Sequence, residues 1–151
     1  MLFQFEQDFV DSLRCIPMAI RLRLDVCGIK LKLNEWSKFT LADRQSLVEA
    51  PFISVMDHIA FGNRLRLLTQ ERCGAQPAAL TPVVNAAWDD VTTVPAEVTD
   101  KARSSSVTIT SAIWANLSQP QRFSLCKLSR PGHENKNFIP ACREFGLADE
   151  P

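Results

Sequence analysis

The sequence lacks a net charge: seventeen basic residues balance seventeen acidic ones among 151. A protein built mainly to hold nucleic acid usually shows a basic excess, so the balance weighs against that class. No apolar run approaches the roughly 20 residues that span a bilayer. The opening Met1-Leu2-Phe3-Gln4-Phe5-Glu6 has no basic n-region and no cleavage site. Neither a secretory signal nor an Arg/Ser-rich transit peptide is expected, which predicts a cytoplasmic protein. Glycine is scarce, with five in the chain, and no Walker loop, GxGxxG or GxSxG occurs. That leaves little for phosphate cradles or a nucleophile elbow. Two histidines, His58 and His133, are too few for a His-rich metal site. HExxH is absent, because Asn137 stands where its second His would fall. There is no CxxC. Five cysteines, at 15, 27, 73, 126 and 142, are odd in number and widely spaced. The expectation is buried, reduced thiols with no disulfide, no metal and no cofactor. Cys15 and Cys27 stand about 18 Å apart along one predicted helix, too far to share a metal.

Hydrophobic residues at 46% and charged residues at 23% are close to globular averages and exclude disorder along most of the chain. The length predicts a single domain over 1–151. Phe3, Phe5 and Phe9 among Glu6, Asp8 and Asp11 read as an extended lead and a turn. Ile16, Ile20 and Leu24 form a helical stripe behind Pro17, with Gly28 as C-cap. Ile29, Leu31 and Leu33 alternate with lysines as a short strand. Asn34 opens a short helix with Trp36 and Phe39, and Thr40 caps the next, which runs to Ala50. After Pro51 a long apolar helix is expected, ending near Cys73-Gly74. Residues 75–93, rich in Ala, Pro and Thr, read as an ordered surface linker around Trp88. Arg130-Pro131-Gly132 is a turn, His133 to Asn137 is irregular, and Asn137 would cap a last helix, 138–145, before Gly146.

The pattern of 16–48 recurs at 94–126 without a gap. Val94-Pro95 matches Ile16-Pro17, Trp114 matches Trp36, Ser118 matches Thr40, and Arg122 matches Arg44. Apolar, cap and strand positions keep one register. This predicts a mostly α or all-α fold with an internal two-fold repeat. The copies should pack on each other, and their short strands should pair as one β-ribbon.

His133-Glu134-Asn135 is the most site-like cluster, since a His beside a carboxylate suits acid–base or metal chemistry. No nucleophile accompanies it, and loop side chains commonly satisfy backbone groups instead. Five cations face one acid over 14–32, and four face one over 122–136. These patches would meet an acidic partner face or an anionic group, or lie as solvated helix faces.

The chain also resembles a known family. Phe5-Glu6, Asp8-Phe9, Leu13-Arg14-Cys15-Ile16-Pro17-Met18, Arg21, Leu24-Asp25, Cys27 to Leu31 and Trp36 are similar to the opening of the conserved nitrate reductase-associated proteins. Gln121-Arg122-Phe123, Leu125, Lys127 to Arg130, Gly132 to Asn135 and Asn137-Phe138 resemble that family's second signature. The resemblance covers 3–147. It implies a non-catalytic accessory protein of assimilatory nitrate reductase, whose partner is that enzyme or a maturation intermediate. The reductase, not the small protein, carries molybdenum cofactor and an iron–sulfur cluster. The polar residues off the apolar stripes then become the expected partner-binding set: Arg14, Arg21, Lys30, Arg122, Lys127, Arg130, His133, Glu134 and Asn135. The alternative for Arg122 and Arg44, which match across the copies, is a structural role, each pairing with a carboxylate or a helix C-terminus inside its own unit. The rival readings are a small enzyme or metal/redox protein using His133, Glu134 and the cysteines, and a nucleic-acid-binding regulator.

Overall fold

A computed structural model describes residues 2–7 and 13–149, with the backbone alone for His133 and Glu134. The readings at Asp8, Phe9 and Asp11 lie outside the described residues. The fold is mostly α, with eight α-helices and one two-stranded antiparallel sheet among the described residues. No helix among them is long and apolar enough to cross a membrane. The described residues group into two compact units, one of Leu2 with 6–84, the other of 3–5 with 85–149.

In the first unit, α1 (Met18–Cys27) starts one turn-position later than the sequence suggested: Pro17 is its extended N-cap, with φ −65° and ψ 156°. Its carbonyl receives the N–H groups of Ile20 and Arg21, both at 3.0 Å. The buried Glu6 carboxylate takes the Met18 N–H at 2.7 Å, so a helix end without a capping side chain still has its donor satisfied. Gly28 closes α1 at φ +69°. A Cβ there would also sit 2.6 Å from the Leu80 carbonyl oxygen, so only glycine fits. β1 is only Ile29–Lys30, because α2 (Leu33–Lys38) follows at once and the Lys32 N–H is taken by the Glu35 carboxylate. α3 (Leu41–Glu49) begins with the expected Thr40 cap. Asp43 N–H donates to Thr40 Oγ1, and Thr40 N–H donates to Asp43 Oδ2. The long helix α4 (Val55–Cys73) starts at a Ser54 cap and stops at Gly74, φ +83°. Ile20, Ile29, Trp36, Leu47, Phe61 and Leu65 form the centre of this unit's core.

The second unit holds α5 (Ala96–Ser104), α6 (Ser111–Asn116), α7 (Gln119–Leu128) and α8 (Phe138–Glu144). Phe3 and Phe5 stack at 5.4 Å and both meet Phe145 edge-on, and Gln4–Glu6 is a 3₁₀ turn. The extended lead predicted there is thus coiled by its aromatic contacts.

Three further expectations need correction. The ribbon does not join the two segments: β1 pairs with β2 (Ala78–Ala79), Ile29 opposite Ala79 and Lys30 opposite Ala78. Val107 instead donates its N–H to Ala102, which wraps it back onto the end of α5. Nor does 75–93 simply cross the surface. Leu80 and Val83 are tied to the backbone at Gly28 and Asp25, while Trp88 is buried edge-on against Phe123. Finally, His133–Asn137 is a 3₁₀ turn that runs directly into α8, so Asn137 already has helical dihedrals and its side chain caps nothing.

Helices in the two units begin 78 positions apart: Met18 and Ala96, Leu33 and Ser111, Leu41 and Gln119. Pro17 and Pro95 are both extended N-caps. Ser106, the counterpart of Gly28, also has positive φ, +57°. Both Trp36 and Trp114 are fully buried, and their indole N–H groups donate to backbone carbonyls, at Leu13 and Asp90. We infer that 16–48 and 94–126 are copies of one unit. Backbones of 16–48 and 94–126 that fail to superpose would remove that reading.

Candidate functional site

The second signature runs along α7 and through one connected turn into the first residue of α8. Asn135 anchors it: its amide donates to the carbonyls of Leu128 at 3.2 Å and Arg130 at 3.1 Å, and its Oδ1 accepts from the Lys101 ammonium. A loop leaving a helix needs partners for the last carbonyls of that helix, and Asn135 supplies them. Arg130 is exposed and lies 3.9 Å from the Glu97 carboxylate. Lys127 lays its ammonium over the Phe123 and Trp88 rings, at 5.2 and 5.8 Å from their centroids. His133 and Glu134 belong to the 3₁₀ turn by their backbone; their side chains lie outside the described residues.

Arg122 is different from its neighbours. It is only 8% exposed, and its guanidinium donates to the carbonyls of Trp88, at 2.6 Å, and Leu117. Its fork is occupied inside the unit, joining the segment before α5 to the start of α7. Arg44, its counterpart, likewise donates to the carbonyls of Trp36 and Ser37.

The first cluster lies in the other unit. Arg14 and Lys30 are exposed, Lys30 on β1. Arg21 is half-buried, its Nε donating to the Ile16 carbonyl at 3.1 Å. Sequence reading missed Lys101 and Glu97, which tie the loop to α5. Nothing in their spacing relative to Asn135 and Arg130 announces the contact.

All five cysteines are free thiols. Burial pushes Cys142 up to about 12. Burial does the same to Cys126, also to about 12, with the Glu97 carboxylate adding to it and three nearby cations opposing. Burial also raises Cys27, against Arg66 and Arg23. A thiol held protonated is a poor nucleophile at neutral pH. No group of three or more His, Cys, Asp or Glu side chains suited to a metal ion occurs among the described residues.

The raised values give a testable pH dependence. An unfolded thiol ionises near its ordinary 9.0, while the folded ones wait until about 12. Rising pH therefore draws protons from the unfolded chain first. Stability should be untouched by these groups below pH 9 and fall between 9 and 12. In native protein at about pH 8, iodoacetamide should leave Cys126 and Cys142 unmodified, and urea should expose both. Native alkylation at the rate of an open cysteine, read by mass spectrometry, would contradict the burial.

No curated protein and no solved structure matches the chain. The model of one family, described as the conserved nitrate reductase-associated protein, matches residues 2–145. That span holds both signatures, the Asn135-anchored turn and the tryptophan-centred cores, and the chain belongs to the conserved nitrate reductase-associated protein family.

Proposed function

We propose that this chain is a non-catalytic accessory protein of assimilatory nitrate reductase. It acts in the cytoplasm by binding the enzyme or a maturation intermediate, and it carries no cofactor of its own. The observation that supports this is family membership over 2–145, in a family described by its association with nitrate reductase. The polar residues divide by their surroundings. Arg14, Lys30 and Arg130 are exposed, Arg130 beside Glu97, and suited to contact an acidic protein face. Arg21 and Lys127 are partly engaged within their units and add charge to those faces. Arg122 and Asn135 hold the fold rather than a partner.

Purified, tagged chain should retain nitrate reductase from an extract of nitrate-grown cells, and less of it as salt is raised through about 0.5 M. An extract depleted of nothing recognisable as the reductase, at low salt and with folded bait, would refute the binding reading.

A further inference from the structure

Helix α4 has two apolar sides, and only one has an internal use. Phe61, Leu65 and Leu68 face the core. Along the opposite side run Met56, Ala60, Asn63 and Leu67, spaced by three and four residues, with Val55 and Ile59 beside them. Met56 is 72% exposed, Val55 71%, Leu67 61% and Ile59 52%. Just before the helix, Ile53 is 92% exposed. A residue at that place usually packs on the one five positions later. Here that residue is His58, which lies against Phe52 instead, at 4.2 Å between rings. An exposed strip of this kind, apolar but for Asn63, marks an interaction surface.

Past its first turn, where Asp57 takes the Ile53 and Ser54 N–H groups, the charge along the strip is of one sign. Between Asp57 and Glu71 the helix carries no carboxylate, but it carries Arg64 and Arg66. Arg64 donates to Ser46 Oγ at 2.6 Å, and Arg66 to the Cys27 carbonyl at 3.5 Å. Arg23, nearby through Phe52 and Phe61, donates to the Leu47 carbonyl. Among the described residues none of these three guanidinium groups has a carboxylate partner. They are held in place by neutral acceptors, with positive charge left uncompensated. Arg66 also lines an open groove of about 240 Å³ between the end of α1 and α4, with Val26, Val55, Ile59 and Gly62.

We propose that this face docks an amphipathic helix of a partner protein. That helix would present apolar side chains at three- and four-residue spacing to Met56, Ile59 and Leu67, and Asp or Glu side chains to Arg64 and Arg66. A second copy of this chain fits less well, because the strip's one carboxylate, Asp57, is already engaged in capping its own helix. The proposal rests on the reading of the chain as a protein that binds another, and it adds where and to what chemistry.

The test uses the full chain and two synthetic amphipathic peptides of about 18 residues, five helical turns. Both carry leucines on one face. One is flanked by glutamates, its twin by lysines, and binding is read by fluorescence anisotropy. The glutamate peptide should bind and the lysine twin should not. Met56→Glu with Ile59→Glu should weaken binding at least about tenfold, as loss of a hot-spot contact does. Ile53→Glu, outside the helix, should weaken it with no effect on helix content. Arg64→Glu with Arg66→Glu should reverse the preference toward the lysine twin. Equal binding of both peptides, or binding unchanged in these variants, would overturn the proposal. So would sedimentation showing a dimer that Met56→Glu dissolves, which assigns the face to a second copy. Vesicle binding lost in the same variant would assign it to a lipid surface. Purified nitrate reductase separates the two readings. If it binds wild type and the Met56/Ile59 variant equally, this surface is wrong while the accessory function stands. If it ignores wild type while the peptides discriminate, the accessory function fails and the surface stands.

Discussion

Trp36→Ala and Trp114→Ala are each expected to cost about 3–5 kcal/mol of stability. Both indoles are completely buried, so truncation removes a large apolar surface and leaves a cavity that packed neighbours fill only in part. A second loss adds to it. The Trp36 indole N–H is 2.7 Å from the Leu13 carbonyl, and Leu13 itself sits at φ +51°, a conformation that a branched residue rarely adopts. Trp114 holds the Asp90 carbonyl at 2.8 Å in the same manner. Each alanine therefore leaves a backbone acceptor without its donor. Urea titration followed by circular dichroism measures the effect. Leu67→Ala, on the open side of α4, should change stability by less than about 0.5 kcal/mol and serves as the control. Tryptophan variants that unfold with the wild type would place both side chains at the surface.

Arg122→Ala is expected to cost about 3 kcal/mol, an unusual figure for a basic residue in a chain with no net charge. The guanidinium is buried and joins the carbonyls of Trp88 and Leu117, so its removal strands two acceptors and uncovers the Trp88–Phe123 pair. Arg122→Lys should recover little, since an ammonium has no planar fork to span both oxygens. Arg130→Ala, at an exposed ion pair with Glu97 at 3.9 Å, should cost less than about 1 kcal/mol. Sequence reasoning placed both arginines in the partner-binding set. The opposite outcome, full stability with impaired partner binding in Arg122→Ala, would return Arg122 to that set.

Local chemistry was the legible part of this fold. The Thr40 and Ser118 caps, and the glycine stops at 28 and 74, depend on residues within a few positions of each other, and the structure has all of them. What escaped depends on contacts distant in sequence. Ala78-Ala79 carries no strand signal of its own; it pairs because Gly28 leaves room for the Leu80 carbonyl. Asn137 looks like a cap until Asn135 is seen holding the preceding turn. The match of Arg122 to Arg44 left a structural role open beside partner binding, but not its acceptor, the distant Trp88 carbonyl. Apolar residues over 52–68 read as one long helix, and that stretch holds too many for a single stripe. Only the three-dimensional arrangement tells that Phe61, Leu65 and Leu68 turn inward while Met56 and Ile59 turn out.

The central claim is that this chain supports nitrate reductase without being a catalyst itself. The measurement that meets it most directly is nitrate reductase activity in cells grown on nitrate, with the gene deleted and then restored. The account predicts a several-fold loss of activity on deletion, recovered by wild-type protein and by the conservative Cys126→Ser and Cys142→Ser variants, since both thiols are buried. Activity unchanged by deletion, or recovery that depends on either thiol in a folded variant, would contradict it.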